Sequence, residues 1–146
     1  MKKPSKIHIF LLLAILFSLT TFCNDPNQGT IPYAYVNISI DLQDPEYINL
    51  QNVGGTEMIT GGYNNNGIVV YRSGIDEFKA YDRTCPYNIE DDCRVYIDST
   101  SQVLVKCPCC GSKYELVYGS VVQTPAKVPL KEYNTSFNGD YLRIYN

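Results

Sequence analysis

The chain has 146 residues, with 12 basic and 15 acidic side chains, one histidine, six cysteines and no tryptophan. Its first 22 residues read as an export signal, which leaves 124 residues, nine basic and fifteen acidic side chains, and no histidine, since His8 lies in that signal. One domain with a buried core fits this length and two do not. The lack of imidazole removes triads, imidazole bases and histidine metal ligands, and a net charge of −6 with no basic stripe excludes nucleic acid as a partner.

Lys2, Lys3 and Lys6 precede an apolar run over residues 7–19, too short for a comfortable span of about 20 residues but suited to a cleavable signal. Cys23 follows directly, ahead of polar Asn24, Asp25, Pro26 and Asn27, and the arrangement resembles a bacterial lipoprotein lipobox, although Phe22 stands where a small residue is usual. The resemblance implies lipidation of Cys23 and a lipoprotein of the bacterial cell envelope, periplasmic or on the outer membrane. Ordinary secretion or an uncleaved anchor is the alternative, and each route leads to a compartment that permits disulfides.

Residues 23–32, with Pro26, Gly29 and Pro32, read as a lipid-proximal polar tether, and 33–146 as the domain proper. Within it, 33–42 alternates apolar and polar positions as a half-buried strand does. Further strands are expected over 47–53, 56–60, 67–72, 77–82, 94–97, 102–106, 113–117, 120–123, 128–133 and 141–145, because turn residues fall between nearly all of them. Examples are Gly54-Gly55, Asn64-Asn65-Asn66-Gly67 and Asn138-Gly139-Asp140. All 13 tyrosines lie in this region and no segment carries a helical stripe, so the expectation is an all-β protein, a small antiparallel β-sandwich or barrel.

Five cysteines remain after Cys23, in two clusters that each follow a strand: Cys85 and Cys93 in one, Cys107, Cys109 and Cys110 in the other. Paired cysteine-bearing loops on a sheet scaffold are a usual way to build a metal site. One disulfide among the five would leave three thiols, and two would leave one. No base, nucleophile pair or phosphate loop accompanies them, so catalysis by the domain alone has no support.

Cys85-Pro86-Tyr87 and Cys107-Pro108-Cys109-Cys110-Gly111-Ser112 resemble the two loops of the Rieske iron-sulfur family, Cys-x-His and Cys-x-x-His-Gly, in which two cysteines hold one iron and two histidines the other. The second loop is similar to the Cys-Pro-Cys-His-Gly-Ser form of respiratory Rieske proteins, with Cys110 at the histidine position. The likeness spans about residues 67–145, including the run 119–130 after the second loop and the closing hairpin near Asn138-Gly139-Asp140.

The resemblance implies a Rieske-like antiparallel β-sandwich with two cluster-binding loops. It also implies a disulfide between Cys93 and Cys109, although Cys93 lies further from Cys85 than the family spacing. Both histidine positions are replaced, so a [2Fe-2S] cluster would need an atypical ligand set: Cys85, Cys107 and Cys110, with Tyr87 or a carboxylate such as Asp91 or Asp92 as fourth donor. Thiolate ligation would lower the potential from the roughly −150 to +300 mV Rieske range toward the roughly −400 mV of all-cysteine centres.

Electron transfer to a redox partner protein in the envelope follows from that reading. The competing readings are a cluster-free, disulfide-stabilised binding lipoprotein with Cys85 joined to Cys107 or Cys110, zinc on the same three cysteines, or a redox dithiol at Cys107-x-x-Cys110.

Overall fold

A computed structural model describes residues 25–146; the expected signal, its cleavage point and Cys23 lie outside the described residues. Among the described residues ten strands form two antiparallel sheets. They are β1 (Asn37–Asp41), β2 (Thr56–Ile59), β3 (Ile68–Arg72), β4 (Phe78–Asp82), β5 (Tyr96–Asp98), β6 (Ser101–Lys106), β7 (Lys113–Glu115), β8 (Val121–Gln123), β9 (Glu132–Phe137) and β10 (Tyr141–Tyr145). The larger sheet has the order β1-β10-β9-β4-β3-β2 and the smaller β5-β6-β7-β8. Among the described residues no helix is long and apolar enough to cross a membrane.

The Ile68-Val69-Val70-Tyr71 run explains how the layers are arranged. All four side chains are buried because the two faces of β3 look into two different cores. Ile68 and Val70 pack with Leu50, Leu142 and Ile144 on one side, whereas Val69 and Tyr71 pack with Tyr81, Val105, Tyr114 and Leu116 on the other. A strand covered on both faces loses the polar alternation of a surface strand. The second core contains Cys85, Cys93 and Cys107, so the cysteine loops grow out of packed sheet rather than floppy surface.

Three stretches depart from the sequence expectation. The strand expected over 33–42 spans only Asn37–Asp41, since Tyr145, the last residue of β10, already pairs with Asn37. Residues 47–53 are not a strand; Pro45–Gln51 forms 3-10 turns instead. Asp44 accepts a hydrogen bond from the Glu46 N–H at 2.9 Å and Pro45 sits in the first turn, an N-terminal cap that overrides the short alternation and turns Leu50 into the first core. The strand expected over 128–133 begins only at Glu132 and runs to Phe137, where it pairs with both β4 and β10. Leu130, just before it, spends its N–H on Gly119 O at 3.0 Å rather than on a sheet neighbour.

The stretch read as a tether also does more than span a gap. Residues 25–31 lie against the domain: Gln28 forms a bridge with Tyr87, the Gly29 N–H donates to Pro86 O at 3.0 Å, and the Asn88 N–H donates to Asn27 O at 2.7 Å. The Gln28 side-chain amide donates to Pro125 O at 3.2 Å and accepts from the Lys127 N–H at 2.8 Å, and Ile31 is buried. This strap thus clips the first cysteine loop to the proline-containing loop after β8.

Candidate metal and thiol site

The first loop, residues 83–95, leaves β4 and returns to β5. Its neck is laddered by Val95 N–H to Arg83 O and Cys85 N–H to Cys93 O, both 2.7 Å. At its tip Asn88 and Asp92 adopt left-handed backbone around the short Ile89–Asp91 turn. Asn66, almost wholly buried, steadies that tip by donating to Asp92 Oδ1 at 2.7 Å and to Thr84 Oγ1 at 3.1 Å. Beneath the neck the buried Asp82 carboxylate accepts from Tyr133 Oη at 2.6 Å, the Tyr63 N–H at 2.6 Å and the Thr84 N–H at 2.8 Å.

The second loop is a tight hairpin between β6 and β7. Cys107 N–H donates to Ser112 O at 2.8 Å and Gly111 N–H to Cys107 O at 2.9 Å. Gly111 has φ of +80°, a left-handed conformation that glycine adopts without strain, and this lets the chain reverse within the cysteine cluster. Ser112 Oγ accepts from the Ala126 N–H at 2.8 Å, which ties the hairpin to the proline loop.

Cys93 and Cys109 are joined by a disulfide with their Cα atoms 6.4 Å apart, a bond that staples the two loops together. Cys85, Cys107 and Cys110 are the free cysteines among the described residues. Their sulfurs lie within 4.8 Å of one another. Cys85 Sγ stands 3.7 Å from Cys110 Sγ and 3.5 Å from Tyr114 Oη, and Cys110 Sγ stands 3.2 Å from Ser112 Oγ. Cys85 and Cys107 are fully buried and Cys110 is half-buried.

Charge in this nest is unevenly held. The Cys107 thiol is pushed down to about 5, foremost by the hydrogen bond from Cys85 and then by the backbone N–H groups of Cys110 and Cys109, against the cost of burial. Cys85 is raised, because it is the donor in that shared bond and because it is buried. Tyr114 is raised by burial and by its contact with Cys85, so its phenol keeps its proton and serves as a donor. A nest that settles a thiolate with N–H and O–H donors suits a cation-binding site.

The carboxylates proposed as donors lie apart from this point. Asp92 spends its carboxylate on Asn64 and Asn66, and Asp91 accepts from Asn88 Nδ2 at 2.8 Å; neither carboxylate joins the sulfur trio. Tyr87 packs half-buried against the second core, two residues beyond Cys85. Several residues that matter to the site carry no chemistry recognisable from sequence alone. Ser112 closes the quoted motif and Tyr114 lies two residues beyond it, whereas Asn66 reads only as part of a turn and Gln28 only as part of a polar tether.

Two facing β-loops, stapled by a disulfide, bring three buried or half-buried thiols to one point, a group that could hold a metal ion on a β-sandwich scaffold. The chain matches the Rieske [2Fe-2S] domain model over residues 43–134 and belongs to that family. Among curated proteins none matches. Among solved structures it resembles the cyanobacterial plasma membrane Rieske protein PetC3 from Synechocystis PCC 6803, at 21% identity and a TM-score of 0.55, covering 75% of this chain and 99% of that one. It also resembles a chain in the complex of reduced oxygenase and oxidized ferredoxin of carbazole 1,9a-dioxygenase, at 16% identity and a TM-score of 0.51, covering 75% and 93%. At these identities the likeness establishes the fold.

The family implies a [2Fe-2S] cluster and electron transfer. The usual two-cysteine, two-histidine ligand set does not fit these residues, since Tyr87 and Cys110 occupy the histidine positions of the two loops. A thiolate-held iron centre does fit in donor chemistry, because three convergent sulfurs are the ligands that such centres use.

Proposed function

We propose that the domain is a one-electron carrier of the bacterial envelope, a Rieske-type module whose iron-sulfur group is held by Cys85, Cys107 and Cys110 with Tyr87 as the remaining donor. The observation that carries this reading is the convergence of three unlinked sulfurs within 4.8 Å, from two loops that a disulfide already cross-links. An iron-sulfur group bound there supplies one reversible electron. The chain's own contribution is to shield Cys85 and Cys107 from water, to donate hydrogen bonds from Tyr114 and the loop N–H groups to sulfur, and to fix the loop spacing. The partner in this reading is a redox protein of the envelope, and Cys23 is the lipid-bearing residue that keeps the domain at a membrane.

Anaerobic reconstitution of the full chain with ferrous iron and sulfide, followed by visible absorption, EPR and sulfide analysis, tests the proposal. The expected result is a coloured protein with an EPR signal in the reduced state and a potential displaced toward about −400 mV, as thiolate ligation demands. A colourless product without iron or labile sulfide would refute it. It would leave the second reading, a cluster-free lipoprotein in which the scaffold serves binding; the replacement of both histidine positions favours that reading.

A further inference from the structure

The three free thiols differ in how they meet solvent. Cys85 and Cys107 have no exposed surface, whereas Cys110 is half-buried and is the member of the trio that a dissolved reagent can touch. Its sulfur lies 3.7 Å from that of Cys85. A disulfide needs about 2.05 Å between sulfurs, and the backbones that carry this pair are already drawn together, because the neighbouring Cys109 is bonded to Cys93 across the same gap. Cys107 is placed differently. Its N–H and C=O are both engaged inside the hairpin, with Ser112 O and the Gly111 N–H, which holds it in place.

We propose that Cys110 is an oxidative modification site and that, when the trio holds no metal, it closes a second, reversible disulfide with Cys85. The oxidant is a low-molecular-weight disulfide of the kind found in thiol-oxidising compartments. Cys110 thiolate attacks one sulfur of the external disulfide, forming a mixed disulfide and expelling one small thiolate. Cys85 Sγ, losing its proton, then attacks Cys110 Sγ, forming the Cys85–Cys110 bond and expelling the second. Two protein thiols are oxidised, one external disulfide is reduced to two thiols, and the two protons lost by the cysteines are taken up by the leaving thiolates. Cys107 remains as a thiol, with two of its three potential co-ligands gone. That last consequence rests on the metal-site reading; the disulfide itself does not.

The test uses the full chain, prepared anaerobically, freed of metal with a chelator and exposed to oxidised glutathione. Denaturation in iodoacetamide and mass spectrometry then identify the alkylated residues. Of the five cysteines from Cys85 onward, only Cys107 is expected to carry the label, and treatment with a reductant before alkylation is expected to restore label on Cys85 and Cys110. Cys85→Ser is expected to trap one glutathionyl group on Cys110, and Cys110→Ser to leave Cys85 and Cys107 unreacted in folded protein. Label on Cys85 and Cys110 after oxidation, label on Cys110 in place of Cys107, or no adduct in Cys85→Ser would each overturn the proposal. Cobalt(II) titration of the reduced and oxidised forms separates this outcome from the function reading. Binding by neither form counts against the metal site alone, whereas equal binding by both counts against the disulfide.

Discussion

The Cys93–Cys109 bond closes a stretch of 16 residues that contains all of β5 and β6 and the start of the second loop. Replacing both cysteines by alanine removes that constraint from the unfolded chain. The loop-entropy relation gives about 3 kcal/mol for a closure of this length, and for a domain of this size that corresponds to a fall in Tm on the order of 10 °C. The truncation adds only the loss of one buried sulfur at Cys93, since Cys109 is exposed and the Cys85 N–H to Cys93 O bond uses only backbone. Urea denaturation of the variant and the parent, both anaerobic and metal-free so that the trio stays as thiols, measures the difference. Parent protein reduced with dithiothreitol should fall to the same midpoint as the variant. A loss below about 1 kcal/mol would refute the argument, because the two loops would then be held together by their sheets alone and the staple would be incidental to the spacing of the thiols.

Three further outcomes are expected. Tyr114→Phe removes the phenol beside Cys85 Sγ; a hydrogen bond of about 1 kcal/mol corresponds to roughly 40 mV in a one-electron couple, so the loaded centre should drop in potential by that order in protein-film voltammetry while the fold is kept. Tyr133→Phe deprives the buried Asp82 carboxylate of its shortest side-chain partner and should cost about 2 kcal/mol in urea, with thiol reactivity at Cys110 unchanged. Asp98 is held below the usual carboxylate range, first by its hydrogen bond from Lys113 and then by the Thr100 hydroxyl and N–H. A depressed folded pKa contributes stability above the unfolded value and loses it as pH falls through the folded one. The parent should therefore weaken below about pH 4, and Asp98→Asn should be weaker at neutral pH but show less of that acid slope in pH-dependent denaturation.

The sheet and the cysteine loops were legible because their signals are local and covalently spaced: a glycine or asparagine pair between apolar runs, and two cysteine motifs each placed after a strand. The 3-10 segment was legible in principle, since Asp44-Pro45-Glu46 is an N-terminal signal, but four alternating residues beginning at Ile48 mimic a strand equally well. The strap was not legible. Its attachment uses backbone groups of Asn27, Gln28 and Gly29 and one side-chain amide, none of which leaves a mark in hydropathy, and only Ile31 hints at burial. The exclusion of Asp91 and Asp92 from the trio was likewise hidden, because it depends on Asn64, Asn66 and Asn88 claiming those carboxylates from positions that read as turns.

The docked strap also limits how the domain can travel. With anchorage at Cys23 as proposed, the two residue steps to Asp25 give a leash of roughly 7 Å, and Asp25 is itself pinned by Lys127 at 3.1 Å, on the loop that bonds Ser112. Such a domain would hug the bilayer with its sulfur-bearing end low, and would meet its redox partner by drifting sideways in the membrane plane rather than by reaching outward on a swinging arm.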